Sequence, residues 1–271
     1  MKSLIGILIA IIVLLLGWYF IKGKKDSDIG SKVQIENLQE SSYVNYINNQ
    51  CKEFGNQINE IQKQEFLTDY QKQTTQFLDS IGLFKNWKGV LERLKTFDWS
   101  SDKITELTFE IKIKLTEDKD MTFSVRKLIK NSALDSTLLY QQLKSLREGS
   151  TIYFDGFIAK DKENKIEYTG YNFDDESKIC NPEIKFYAVS VSDTKLDFNN
   201  SANFNKVTNI QFKTFNQMAE AVKGKLTSKE LKTSLIKNKN EVEPLMNSFT
   251  TNEKKYIYSL TECLGSQFNE N

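Results

Sequence analysis

The chain has 271 residues, with 37 Lys and Arg against 36 Asp and Glu, three cysteines and no histidine. Lacking imidazole, it cannot run Ser-His-Asp or Cys-His nucleophile systems, and three thiols fall short of an all-cysteine zinc site. Four of the basic residues crowd the first 25 positions, leaving 33 against 36 acidic ones, a net of −3, which argues against a basic nucleic-acid domain.

From Leu4 to Ile21 the chain reads LIGILIAIIVLLLGWYFI without a charge. As a helix it would span roughly 27 Å of a hydrocarbon core about 30 Å thick. Trp18, Tyr19 and Phe20 at its end, followed by Lys22, Lys24 and Lys25, suit the headgroup level, and no small-residue cleavage site is visible. The expectation is an uncleaved single-pass anchor over residues 1–25, with the lipid bilayer as partner of residues 4–21. The Lys bias leans toward a cytoplasmic body, while the two-residue leader is also how a signal anchor that exports its body begins.

Residues 26–84 form a helical segment. Val44, Ile47, Cys51, Phe54, Ile58 and Ile61 recur at steps of three and four, and Phe66, Tyr70, Phe77, Leu78 and Ile81 make a second apolar side ending at Gly82. Gly55 inside the first stretch favours a helical hairpin over one long stalk. A partner or self-association role for the helical segments is the alternative.

The period then switches to two. Leu107, Phe109, Ile111, Ile113 and Leu115 alternate with polar residues, preceded by a strand over Trp87–Trp99 and followed by a short one over Met121–Val125. Leu138, Leu139, Leu143 and Leu146 have helical spacing, with Gly149 as a stop. Strands follow at Ser150–Ala159, with Gly156 inside it, at 166–173 as a hairpin partner, and at Ile184–Val191. Three strands, a helix, then two or three strands is the element order of the OB-fold, a five-stranded barrel. NWKGVLERL at 86–94 and LKSLREGSTIYFDGFI at 143–158 resemble the bacterial OB-fold family related to tRNA-anticodon-binding domains, through Trp87, Gly89 and Val90 and through Leu146, Gly149, Phe154 and Gly156. The resemblance covers about 85–192 and departs from the family pattern at Ser150, where an acidic residue is commoner; it implies a fold and no catalytic residue. The fold class expected is therefore α+β, with an OB-like five-stranded barrel over 85–195.

A C-terminal helical region, 196–271, opens on the Asn-rich run 199–209, the best candidate boundary. Thr227 with Glu230 and Thr250 with Glu253 fit capping boxes, and Ile257, Leu260, Leu264 and Phe268 form an apolar stripe.

Neither a P-loop nor a G-x-G-x-x-G motif occurs. Two acidic clusters, Glu117-Asp118 with Asp120 and Asp174-Asp175-Glu176, fall in expected loops, where solvated turns usually carry such residues. The ligand-binding candidates are aromatics: Trp99 in the expected first loop, and Tyr153, Tyr168 and Tyr171 in or near the fourth strand. No cofactor, metal ligand or catalytic residue is expected. Cys51, Cys180 and Cys263 read as three buried thiols, with a Cys180–Cys263 disulfide as the alternative. The functional expectation is a membrane-anchored binding or scaffolding module; a carboxylate-dependent hydrolase and a single-stranded nucleic-acid binder are the alternatives.

Overall fold

The computed structural model describes residues 38–99, 101–169, 174–222 and 224–270. The anchor segment 4–21 lies outside them, and no described helix is long and apolar enough to cross a membrane. The chain divides into two compact units, Ile35–Leu196 and Asp197–Phe268.

The first unit opens with two helices, α1 (Leu38–Gly55) and α2 (Glu60–Ile81). Tyr43, Ile47, Cys51 and Phe54, spaced at helical steps, are buried. The apolar run does not continue as one helix to Ile61. The chain turns after Gly55, and Asn59 restarts it by accepting a hydrogen bond from Gln62 N at 3.0 Å. Ile58 and Ile61 consequently stand in solvent, 89% and 73% exposed. Gly82, at φ 65°, ends α2 with its N–H on the Leu78 carbonyl.

The barrel consists of β1 (Phe84–Trp99), β2 (Ile104–Lys114), β3 (Asp120–Lys130), β4 (Thr151–Ile158) and β5 (Glu183–Ser192). Its closed order is β1-β2-β3-β5-β4, with β4 returning to β1. A short helix α3 (Leu138–Leu143) precedes β4 where the Leu spacing predicts one, but it ends at Leu143, leaving Leu146 outside it and Gly149 beyond its stop. Pairing is antiparallel except along the β3–β5 seam, where Thr122, Phe123 and Ser124 run parallel to Glu183, Ile184 and Lys185. Inside, Phe123 stacks on Phe186 at 4.5 Å between centroids, and Phe84 and Phe154 meet both rings edge-on. Each such ring contributes roughly 1.5–3 kcal/mol by leaving water. α1 packs on this barrel through Tyr43, whose ring lies 5.8 Å from both Trp87 and Phe77.

Two expectations change here. The hairpin strand at 166–173 is reduced to isolated bridges, Lys160 to Ile166 and Tyr168 to Ile184, and residues 170–173 are not described. The cysteines are not three thiols, nor do Cys180 and Cys263 pair. Cys51 of α1 is bonded to Cys180 at the end of helix α4 (Asp175–Cys180), and Cys263 is buried and takes no part in that bridge. Phe54, Phe66, Tyr70 and Ile179 enclose the bridge, and Lys119 Nζ donates to Cys51 Sγ at 2.9 Å.

The second unit holds α5 (Ala202–Val222), α6 (Ser228–Met246) and α7 (Thr251–Glu270). Both capping boxes form. Thr227 N donates to Glu230 Oε2 at 2.9 Å and Thr250 N to Glu253 Oε2 at 2.7 Å. Phe204 meets Phe249 and Tyr256 edge-on, and Ile257, Leu260 and Leu264 are buried beside them. The side chain of Phe268 lies outside the described residues. Most of the Asn-rich run is helix rather than linker, because Ser201 Oγ accepts from Phe204 N and starts α5 there.

Candidate functional site

β1 and β3 outrun the barrel that they help to build. β4 accompanies β1 only over Phe84–Val90, and β5 accompanies β3 only over Thr122–Ser124. Beyond a bulge between Glu92 and Lys95, where Arg93 takes φ 50°, β1 stays paired with β2 alone. The result is a three-stranded ribbon made of Lys95–Trp99, Ile104–Thr108 and Arg126–Lys130. Trp99, read as the end of the first strand and the start of the loop after it, is the last residue of β1.

Registers place one row of side chains after another on the ribbon's outer face. Lys95 stands beside Thr108 and Arg126, Phe97 beside Glu106 and Leu128, and Trp99 beside Ile104 and Lys130. Phe97, Trp99 and Leu128 are 53%, 50% and 57% exposed, three large apolar groups on one face. Glu106 sits between them and is almost covered. Arg126 grips it with two hydrogen bonds, Nε to Oε1 at 2.7 Å and Nη2 to Oε2 at 3.1 Å. The Trp99 indole N–H donates to the same carboxylate at 3.1 Å, which fixes the ring's orientation and leaves a face to solvent.

These bonds to Arg126, with help from Trp99, hold the Glu106 carboxyl below its ordinary value of 4.5, against the opposing pull of burial. A depressed folded-state value means that the stabilisation is complete at neutral pH and is lost as pH falls through that lowered value. Acid titration is expected to change Trp99 fluorescence, isolated by difference from Trp99→Phe, with a midpoint below 4.5, and Glu106→Gln is expected to abolish the change. A midpoint at or above 4.5 would contradict this network.

The remaining candidates are dispersed. Tyr153 lies on β4 opposite Lys88, near the other end of β1, and Lys195 Nζ sits 5.6 Å from its ring centroid. Tyr168 is packed against the barrel's core, and burial drives the phenols of Tyr43, Tyr70 and Tyr168 up. Tyr171 lies outside the described residues. The acidic turns are occupied with their own geometry. Asp118 accepts from Thr116 Oγ1, and Asp174 caps α4 by accepting from Ser177 N and Oγ. Among the described residues no group of three or more Cys, Asp or Glu side chains could hold a metal ion.

A second polar constellation lies within the sheet. Asn86, at φ 53°, donates its N–H to Asp155 at 2.6 Å, while its side chain exchanges two hydrogen bonds with the Leu196 backbone. Burial lowers Lys85 to about 8, opposed by the Asp155 charge. Asp155 pairs in register with Ser190, and both are 1% exposed. These bonds tie β1, β4 and the Leu196 backbone together.

No family model matches the chain, and no match was found among curated proteins or solved structures.

Proposed function

We propose that the chain is a membrane-tethered binding module of OB type, working by contact rather than catalysis, with the outer face of the β1–β3 ribbon as its docking surface. The observation that carries the reading is the exposure of Phe97, Trp99 and Leu128 on one face, with Trp99 held in place by Glu106 and Arg126. The closed order β1-β2-β3-β5-β4 with a parallel β3–β5 seam supports the OB assignment. The tether rests on the apolar run at 4–21. The Cys51–Cys180 bond favours the exported orientation for the body, since structural disulfides persist in oxidising compartments. That outweighs the slight lysine bias toward a cytoplasmic body.

A photoreactive side chain at Leu128, on the ribbon, is expected to give a discrete adduct in native membranes, whereas one at the still more open Ile58 gives none. Trp99→Ala should cut the Leu128 adduct about tenfold, the loss typical of a central aromatic anchor. Equal adducts at both positions, or none at Leu128, would refute the reading. A single-stranded oligonucleotide is the second reading, favoured by Lys95 and Lys130 beside two exposed rings. It requires binding that weakens steeply with salt as well as with Trp99→Ala.

A further inference from the structure

The face of the ribbon is one feature and its edge is another. Over Lys95–Trp99, β1 has β2 on one side and no described strand on the other, and all five residues are exposed. An open strand edge, with its N–H and C=O groups unpaired, is a template for pairing with another strand. Natural edges are blunted by charges, prolines or bulges. Here the bulge comes before the segment, and Lys95 is its only cation.

We propose that two copies of the chain pair antiparallel along this edge, about a two-fold axis that passes between their Phe97 residues, to form a continuous six-stranded ribbon; the proposal rests on the reading of the ribbon as the contact surface. Register and charge single out the second copy. A symmetric antiparallel pair centred on a residue keeps the outward-facing side chains of both copies on one side, so the apolar faces join. Centring on Phe97 sets Phe97 against itself, Thr96 against Asp98 and Lys95 against Trp99, where the ammonium can lie over the indole. All five residues are then paired and no like charges meet. Centring on Asp98 opposes two carboxylates, and centring on Lys95 opposes two ammonium groups. Glu106, the acidic group on the same face, is already neutralised by Arg126 and adds no repulsion. The contact is isologous and closes at two copies, because each chain spends its one β1 edge.

Cysteine cross-linking of the full chain in detergent micelles, with mild oxidant, tests the register. Residues opposed in such a pair have Cβ atoms about 5 Å apart, so Phe97→Cys is expected to give a disulfide-linked dimer. In the same dimer the two copies of position 99 are roughly 13 Å apart along the strands, so Trp99→Cys should stay monomeric on the gel. Light scattering of the unmodified chain should give twice the monomer mass, and Phe97→Asp should raise the dimer dissociation constant about tenfold or more. A monomeric mass for the unmodified chain, or equal cross-linking through 97 and 99, overturns the proposal. If the Leu128 adduct then contains a different molecule, edge pairing alone fails and the docking surface stands; if no adduct forms either, both fall.

Discussion

Reducing the Cys51–Cys180 bond is expected to remove about 5 kcal/mol from the stability of the Ile35–Leu196 unit. The size follows from chain entropy. The bridge joins residues separated by 129 positions, and releasing a loop of that length returns about 5 kcal/mol of conformational freedom to the unfolded chain. Native domains are stable by only about 5–15 kcal/mol, so the loss would leave the unit near its threshold. The bridge also fastens α1 to the short α4 over a cluster of Phe54, Phe66, Tyr70 and Ile179. Urea unfolding followed by Trp87 fluorescence, with and without reductant, measures the effect. Cys51→Ser with Cys180→Ser should reproduce it, and Cys263→Ser should leave the response to reductant intact, because that thiol is unbridged. A shift below about 1 kcal/mol on reduction would show that the bridge is incidental to the fold.

Gly156→Ala is expected to cost about 3 kcal/mol or more and to strike the barrel itself. Gly156 lies in β4 opposite both Phe84 and Ala188, beside a bulge in the β4–β5 register. A Cβ there would fall inside contact distance of the Tyr187 carbonyl oxygen and the Phe186 ring. Flexible side chains can yield to such a clash, but a backbone carbonyl in a paired strand cannot, and Phe186 is already wedged against Phe123 and Phe154. Gly55→Ala is the control. Nothing lies within 4 Å of its added Cβ, so it should be neutral or gain a few tenths of a kcal/mol. Thermal unfolding of the two variants side by side decides the matter; a Gly156→Ala protein as stable as Gly55→Ala would mean that the strands relax freely at this corner.

Much of this architecture was legible in the sequence because it rests on local period. Alternation from Leu107 to Leu115, the Leu spacing around 138–146 and the paired Thr and Glu at 227/230 and 250/253 each report a neighbour only a few residues away; the strand and both capping boxes form as read, and the helix forms but stops at Leu143. The helical hairpin likewise follows from Gly55 and Gly82. The candidate surface was less legible for the opposite reason. Trp99 could be named from its chemistry, but Phe97 was hidden by the bulge at 93–94, which breaks the alternation of β1 before the ribbon begins. Arg126 and Leu128 were missed because the run of charges in RKLIK ends the apolar pattern of β3 at Val125, although the strand continues to Lys130. An alternation of Lys95, Phe97 and Trp99 against Arg126, Leu128 and Lys130 was the available signal. Disulfide partners are set by the approach of α1 to α4, which no spacing along the chain encodes.

The parallel seam between β3 and β5 is only three residue pairs long, yet it joins segments some sixty positions apart along the chain. Hairpins β1–β2 and β2–β3 need short loops and can zip early, whereas this closure must wait until α3, β4 and α4 are in place. The wall of the barrel is thus completed at its thinnest stitch, and the same stitch is where a transient breath of the closed form would begin.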